Sequence, residues 1–353
     1  MRVILRPIFL FAITLSAAIA NDGPFLAVPA GGIHFQKTDA ISMDKEDLFI
    51  SEDKIRVAYV FRNTTAEDFT TEVAFPLPIY SLDEFEGMKP AYANFSVKVN
   101  NKLVEFRTIE RAVLCKPQEK EWAAPARGQW SPDKDITDAL TNHNMPVGEP
   151  EKVWEAIDNL SDEALADLVA AGAIVEDYEV RVPKWKVQTA YVWKQTFPVN
   201  AELRVEHEYE PQIGYFQEWH LEPFVDEVYA GKMELDAVPK FGTAEFNAKS
   251  APFLKQYDID QGVLGWAEKQ RAAKKRFSFT VVNYILTTAA YWKGPIKEFT
   301  LTIEKPQTQE PVAVSTAVDG LKKIDERRFS VTRKDFVPEK DLSVVFIHAY
   351  EEF

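Results

Sequence analysis

The 353-residue chain has one cysteine, Cys115, so no disulfide can close within it, and a multi-cysteine zinc or iron–sulfur site is excluded. Histidine is nearly as scarce. The five residues His34, His143, His207, His220 and His348 include no pair four apart, the spacing that sets two imidazoles on one helix face for a metal. There is no glycine-rich phosphate loop and no Gly-x-Ser-x-Gly elbow, which removes the standard signatures of nucleotide binding and of serine hydrolases. Positive charge is also short, with 41 Lys and Arg against 55 Asp and Glu and a formal net charge of -14. That sign argues against a protein that tracks nucleic-acid phosphates or sits on an anionic membrane through a basic patch. Beyond residue 20 no apolar run reaches the roughly 20 residues that a bilayer-spanning helix needs. None of these patterns implies a cofactor or a metal.

What remains is an ordinary globular composition, 46% hydrophobic and 27% charged, in a chain long enough for one large or two ordinary domains. Residues 1–20 have the character of an export signal. Arg2 and Arg6 start it, Ile8 to Ala20 is uncharged and apolar, and Ala18-Ile19-Ala20 supplies the small-x-small cleavage pattern. Cleavage after Ala20 is expected, the alternative being an uncleaved N-terminal anchor. Loss of Arg2 and Arg6 takes the net charge from -14 to -16. A soluble, acidic protein of the bacterial periplasm is the resulting expectation.

Period two dominates from Gly32 to Leu114. Ile55, Val57, Tyr59 and Phe61 share one face, and Phe69, Thr71, Val73 and Phe75 repeat the pattern before Pro76 and Pro78 stop it. Asn100-Asn101 is a tight-turn dipeptide between Phe95–Val99 and a partner strand over 103–106. The pattern breaks near Cys115. Residues 116–133, with Pro117, Pro125, Pro132, Trp122 and Trp130, read as a long loop. Ser131 is an expected N-cap with Pro132 at the first helical position, opening helices over 132–143, 150–160 and 162–171, the last ended by Gly172. Alternation returns at Trp185-x-Val187-x-Thr189-x-Tyr191-x-Trp193 and at Leu203-x-Val205-x-His207-x-Tyr209, then again from Arg276 to Tyr350, with a helix over 260–275 between.

The expected fold is therefore mainly β: an antiparallel sandwich with a helical insertion, plus a second, C-terminal β domain carrying one helix. Residues 21–114 with 183–222 would form the sandwich, 115–182 the loop and insertion, and 223–353 the C-terminal domain.

Candidate ligand-binding residues are few. Trp122 and Trp130 lie in the proline-rich loop, where large rings either dock a partner or staple the loop to its own protein. His207 and Tyr209 fall on one apolar strand face, where they form either a polar pair in a pocket or a core histidine satisfied by a neighbour. Cys115 ends an apolar strand and reads as an inert, buried thiol.

Six segments occur in order: EDLFISEDKIRVAYVFRNTT (46–65), TTEVAFPLP (70–78), VEHEYEP (205–211), NYILTTAAYWKGPI (283–296) and LKKIDERRFSVTRKDFVPEKDLSVVF (321–346), after the early NDG (21–23). Together they resemble the domain-of-unknown-function family numbered 4424, found in exported proteins of Gram-negative bacteria, over nearly the whole chain after the leader. The most specific part pairs YILTTAAYWKGPI with the later R-x-D-F-x-P-x-x-D-L of Arg333 to Leu342. The resemblance implies no established activity and no catalytic residue. It also implies cysteines near Tyr257-Asp258 and near Ser315, which this chain lacks.

The function expected on these grounds is a non-enzymatic periplasmic binding or envelope-assembly module with an unidentified protein or glycan partner. The alternative is a hydrolase acting on envelope polymers through carboxylates that folding brings together.

Overall fold

A computed structural model describes residues 23–27, 34–82, 93–116, 132–177, 180–218 and 224–351. The expected leader, and Trp122 and Trp130 with most of their loop, lie outside the described residues, as does the expected cap Ser131.

The chain is mainly β, in several antiparallel sheets, as its period-two stretches require. The largest sheet has the order Lys322–Lys323, Arg328–Phe336, Ile296–Glu304, Ile41–Ile50, Ile55–Asn63, Glu202–Tyr209, Ser96–Val99, Lys102–Leu103. Its one parallel pair joins Ile296–Glu304 to Ile41–Ile50. A second sheet runs Pro132–Asp135, Arg107–Cys115, Lys186–Phe197, Phe69–Pro76, Gly23–Ala27, His34–Phe35. Between the two lies the main core, in which Tyr59, Phe61, Phe75, Trp185 and Phe197 are fully buried. A small third sheet, Ile213–Gln217, Lys275–Tyr284, Leu342–Glu351, Val312–Thr316, carries four short helices on one face.

Several local expectations are met. Asn100 and Asn101 both take positive φ, 48° and 65°, closing the two-residue turn, although the return strand is only Lys102–Leu103. Gly172 ends the third insertion helix at φ 78°, and the backbone N–H of Ala173 reaches back to the Leu168 carbonyl. One expectation is corrected. Pro132–Asp135 is a strand paired with Arg107–Cys115, so the helix starts at Thr137, where the Asp135 carboxylate accepts from the Thr137 N–H at 2.8 Å. Proline fits there because this is the edge of its sheet, where a missing N–H costs no ladder bond.

The boundary expected at 222/223 separates strands that share the largest sheet, because Ile296–Glu304 inserts beside Ile41–Ile50. A parallel pairing of strands about 250 residues apart leaves no mark in local periodicity. The two places at which the resemblance implies cysteines do meet: Ser315 Oγ donates to the Asp258 carbonyl at 3.0 Å.

The halves of the paired motif are also in contact. Asp341 Oδ1 accepts from the Leu286 N–H (3.1 Å), the Thr287 N–H (3.1 Å) and the Thr287 hydroxyl (2.8 Å), capping the short 3-10 turn Thr287–Tyr291. Trp292, directly after this turn, is buried against Phe61 at 4.8 Å and Phe197 at 5.8 Å. Gly294 takes φ 73°, and a Cβ built there would meet nothing within 4 Å. Backbone conformation, rather than close packing, therefore requires the glycine.

Candidate functional site

His207 and Tyr209 are core residues, 1% and 2% exposed. The His207 ring sits among Phe75 (4.6 Å between centroids), Trp193 (5.3 Å), Phe95 (5.4 Å) and Tyr59 (5.7 Å). Tyr209 packs on Phe75 at 5.7 Å, and burial pushes its hydroxyl far above the ordinary tyrosine range. Together these rings fill the space between the two large sheets. Cys115 is half-buried at the end of its strand, and burial pushes its thiol up to about 12, so thiolate is scarce at neutral pH. Burial, and next the charge of Glu149, raise the Glu110 carboxyl.

The open surface lies elsewhere, on the small sheet. One of its faces buries Phe216, Phe277, Phe279, Val281, Val345 and Ile347 under the four helices, with Phe216 and Phe279 stacked at 5.0 Å. Each such ring contributes about 1.5–3 kcal/mol by leaving water, which holds the sheet to its helices. The other face is divided. Along Lys275–Tyr284 the positions Tyr284 and Val282 enter the main core, while Thr280 and Ser278 follow as polar groups. Along Leu342–Glu351 the same face reads Leu342, Val344 and Phe346 in the core, then His348 and Tyr350. The change falls between Val282 and Thr280 on one strand and between Phe346 and His348 on the other, one cross-strand pair further along, since Thr280 stands opposite Phe346. There the small sheet leaves the main core and a cleft opens.

At the inner end of this transition the Tyr284 hydroxyl donates to the fully buried Glu46 carboxylate at 3.3 Å and shares a 2.8 Å hydrogen bond with Tyr59. This buried polar group ties the small sheet to the largest one. Further out, His348 Nε2 donates to Glu52 Oε1 at 2.7 Å. Glu52 belongs to the turn between Ile41–Ile50 and Ile55–Asn63, so the pair bridges two sheets across the floor of the cleft.

Strand register fixes what faces the opening. Gln217, Ser278 and His348 are directly opposite one another on three adjacent strands. Tyr215 stands opposite Thr280, one step along the outer strand, and is 42% exposed. These residues, with Glu310 and Tyr350, line a shallow trough of about 340 Å³. It adjoins a larger cleft of about 820 Å³ walled by Glu52, Glu210, Gln212, Ile213, Tyr215 and Lys305, among others. At the opposite end, a recess of about 360 Å³ shares Gln217 and Tyr350 and is bounded by Arg276 and Glu218. Burial raises the Glu218 carboxyl, partly offset by the Phe241 N–H that it accepts at 2.8 Å. The trough shares Tyr215 with the larger cleft and Gln217 and Tyr350 with the recess, so trough and cleft form a groove along the small sheet.

The charges of the large cleft are mostly engaged. Glu304 pairs with Arg327 Nη2 at 2.7 Å, and Asp53 accepts from the Ser51 hydroxyl at 2.7 Å. Glu210 accepts from Asn94 Nδ2 at 2.6 Å. Lys305 points its amine at the Val312 carbonyl, 3.1 Å away, and burial, then the charge of Lys323, lowers its pKa. Among the described residues, no group of three or more His, Cys, Asp or Glu side chains is placed to hold a metal. No helix among them is long and apolar enough to cross a membrane.

None of Tyr215, Gln217, Glu52 or His348 stands out as a motif in the sequence. The signal that could have found them is the apolar-to-polar change on one face of two alternating strands, which marks where a sheet leaves its core.

A family profile described as a domain of unknown function, DUF4424, matches residues 20–345. No curated protein sequence matches the chain. Among solved structures, it is similar to a Legionella pneumophila protein provisionally described as nutrient binding, at 16% identity and a TM-score of 0.43, covering 93% of this chain and 71% of that one. It is also similar to an M1 zinc metallopeptidase from Deinococcus radiodurans, at 8% identity and a TM-score of 0.28, covering 88% of this chain and 43% of that one.

Proposed function

We propose that this chain, which belongs to the DUF4424 family, is an exported, periplasmic binding module whose ligand lies in the groove along the small sheet. The observation that carries the reading is the groove itself. A stable sheet face turns from core to polar residues along two adjacent strands and opens onto a cleft of about 820 Å³, within the range that small-molecule sites occupy. Tyr215 offers an exposed ring at its centre, and the row Gln217, Ser278, His348 offers donors and acceptors on rigid strands. A site built on strands holds its geometry better than one on loops. The leader pattern of residues 1–20 supports export.

Native mass spectrometry of the mature protein, purified from the periplasm of a producing cell, tests the reading. A non-covalent small-molecule adduct should be present, and should be lost in Tyr215→Ala with Gln217→Ala. No adduct, or an adduct that the double variant retains, would overturn it.

A further inference from the structure

We infer that the ligand of this groove is a short extended peptide carrying lysine or arginine, added as a further strand to the outer edge of Ile213–Gln217, an inference that rests on the groove being the binding site. An edge strand bonds to its one neighbour through alternate residues only. The N–H and C=O groups of the others face outward, open to another chain.

Proteins ordinarily blunt such edges, and among the described strands this one is the exception. The largest sheet ends in Lys322–Lys323 and Lys102–Leu103, two residues each and both carrying lysine. The second ends in His34–Phe35, equally short, and in Pro132–Asp135, which has a proline and three charges. The isolated pair Ile174–Asp177 and Val180–Pro183 is charged on both strands. Val312–Thr316, at the far side of the small sheet, is uncharged, but the helix Gln261–Ala272 packs beside it and the Lys305 amine takes up the Val312 carbonyl. Ile213–Gln217 has five residues, no charge and no proline, and pairs on one side only, with Lys275–Tyr284. Ile213 and Gly214 are half-buried and Tyr215 is exposed.

What selects a peptide is the repeat of that open row. Its donors and acceptors recur at strand spacing, about 3.4 Å per residue, and another extended main chain matches them in kind and in step. The edge is about 17 Å long at that rise, so a ligand of about five residues covers it. Side chains of an added strand alternate between the two faces of the sheet. Those on the Tyr215 face meet the large cleft, bordered by Pro211, Ile213 and Tyr215 from the edge strand side and by Glu52, Asp53 and Glu304 from the largest sheet. The whole cleft wall has four carboxylates, Glu52, Asp53, Glu210 and Glu304, against Lys305 and Arg327, an excess of two negative charges. Arg327 is turned to Glu304 and Lys305 to the Val312 carbonyl, whereas Asp53 and Glu210 accept from the neutral Ser51 hydroxyl and Asn94 amide. An ammonium or guanidinium entering there gains charged hydrogen bonds, the stronger kind. Lys240 and Arg276 stand in the recess at the other end, beside Glu218, Asp236 and Glu351. A second copy of this chain is the competing strand. Antiparallel self-pairing centred on Tyr215 would set Glu218 of one copy opposite Gln212 of the other, at the acidic cleft, and would join two chains of net charge -14. Like charge disfavours that pairing.

The test is isothermal titration of the mature protein with acetyl-Val-Lys-Val-Lys-Val-amide, its glutamate counterpart, and two forms of the lysine peptide N-methylated at one or the other set of alternate residues. The lysine peptide should bind saturably and at least ten-fold more tightly than the glutamate peptide. One N-methyl form should lose at least ten-fold while the other keeps its binding, because an added strand uses only alternate N–H groups against the edge. Asp53→Asn with Glu210→Gln should remove most of the preference for lysine. Both replacements keep an acceptor oxygen, so the variant should fold, as a melting scan would verify. Absence of lysine-peptide binding, equal binding of the two charge forms, or indifference to both N-methylation patterns would overturn the inference. So would a dimer of the peptide-free protein whose formation protects residues 213–217 from hydrogen exchange, which would assign the edge to a second copy. If no peptide binds and the native adduct is nevertheless lost in Tyr215→Ala with Gln217→Ala, the groove remains the binding site and only the peptide assignment falls.

Discussion

His348 Nε2 donates to Glu52 Oε1 at 2.7 Å, joining a strand of the small sheet to a turn of the largest one, 296 residues earlier in the chain. Both side chains are mostly shielded from water, 20% and 15% exposed. The contact therefore belongs to the half-buried class, in which a charged hydrogen bond is worth more than at the surface.

Glu52→Ala should destabilise the protein by about 1–2 kcal/mol, and His348→Ala by a similar amount. The double variant should lose much less than the sum, since the two residues make one contact. Urea unfolding of the four proteins measures this coupling. Strict additivity would show that the bridge does not form in solution.

Asp341 binds both halves of the most specific motif pairing. Asp341→Ala would leave the Leu286 and Thr287 N–H groups without their acceptor and should cost about 2–3 kcal/mol. Burial holds this carboxyl above the usual carboxylate range despite those bonds, so its ionised form carries a desolvation cost. Asp341→Asn retains an acceptor oxygen without that charge and should lose less than the alanine variant. Thermal melting of both at neutral pH distinguishes them, and equal losses would mean that the acceptor is not what matters.

Asp325 provides a pH signature. The Arg327 N–H first, then the Arg328 side chain and N–H, hold its carboxyl down at about 2. Its value in the unfolded chain is about 3.9. A depressed folded value means stability that is present above about pH 4 and is lost as pH falls toward 2. Asp325→Asn should therefore be less stable than the parent at pH 6, with the gap closing by pH 2. A gap that stays constant with pH would refute the assignment.

Cys115 should label slowly. Its pKa of about 12, against about 8.5 for a free thiol, implies a thiolate fraction lower by roughly three-thousand-fold. Reaction with a maleimide at pH 7.5 should be correspondingly slower than in urea. Equal rates in the two conditions would show an open, activated thiol.

Much of the fold is legible in the sequence because strands announce themselves locally. Alternation at Ile55-x-Val57-x-Tyr59-x-Phe61 and the Asn100-Asn101 turn correspond to observed elements. Non-local pairing is not legible. Nothing in residues 296–304 states that they lie parallel to Ile41–Ile50. Alternation alone cannot tell a strand face that enters the core from one that opens a cleft. For His207, the apolar partners Val205 and Tyr209 mark the face, and the structure encloses it in aromatic rings. His348 follows Phe346 on the same face, and only the divergence of two sheets turns it outward. The groove is a product of sheet-on-sheet geometry, which the one-dimensional pattern records only as a change from apolar to polar residues.

The central claim is that ligand sits on the small sheet between Tyr215 and His348. Hydrogen-exchange mass spectrometry of the mature protein, with and without the low-mass fraction of periplasmic extract, tests it most directly. The account predicts added protection confined to residues 210–217, 346–351 and the 51–54 turn. Protection centred elsewhere, for example around His207 and Tyr209, with none in those three segments, would contradict it.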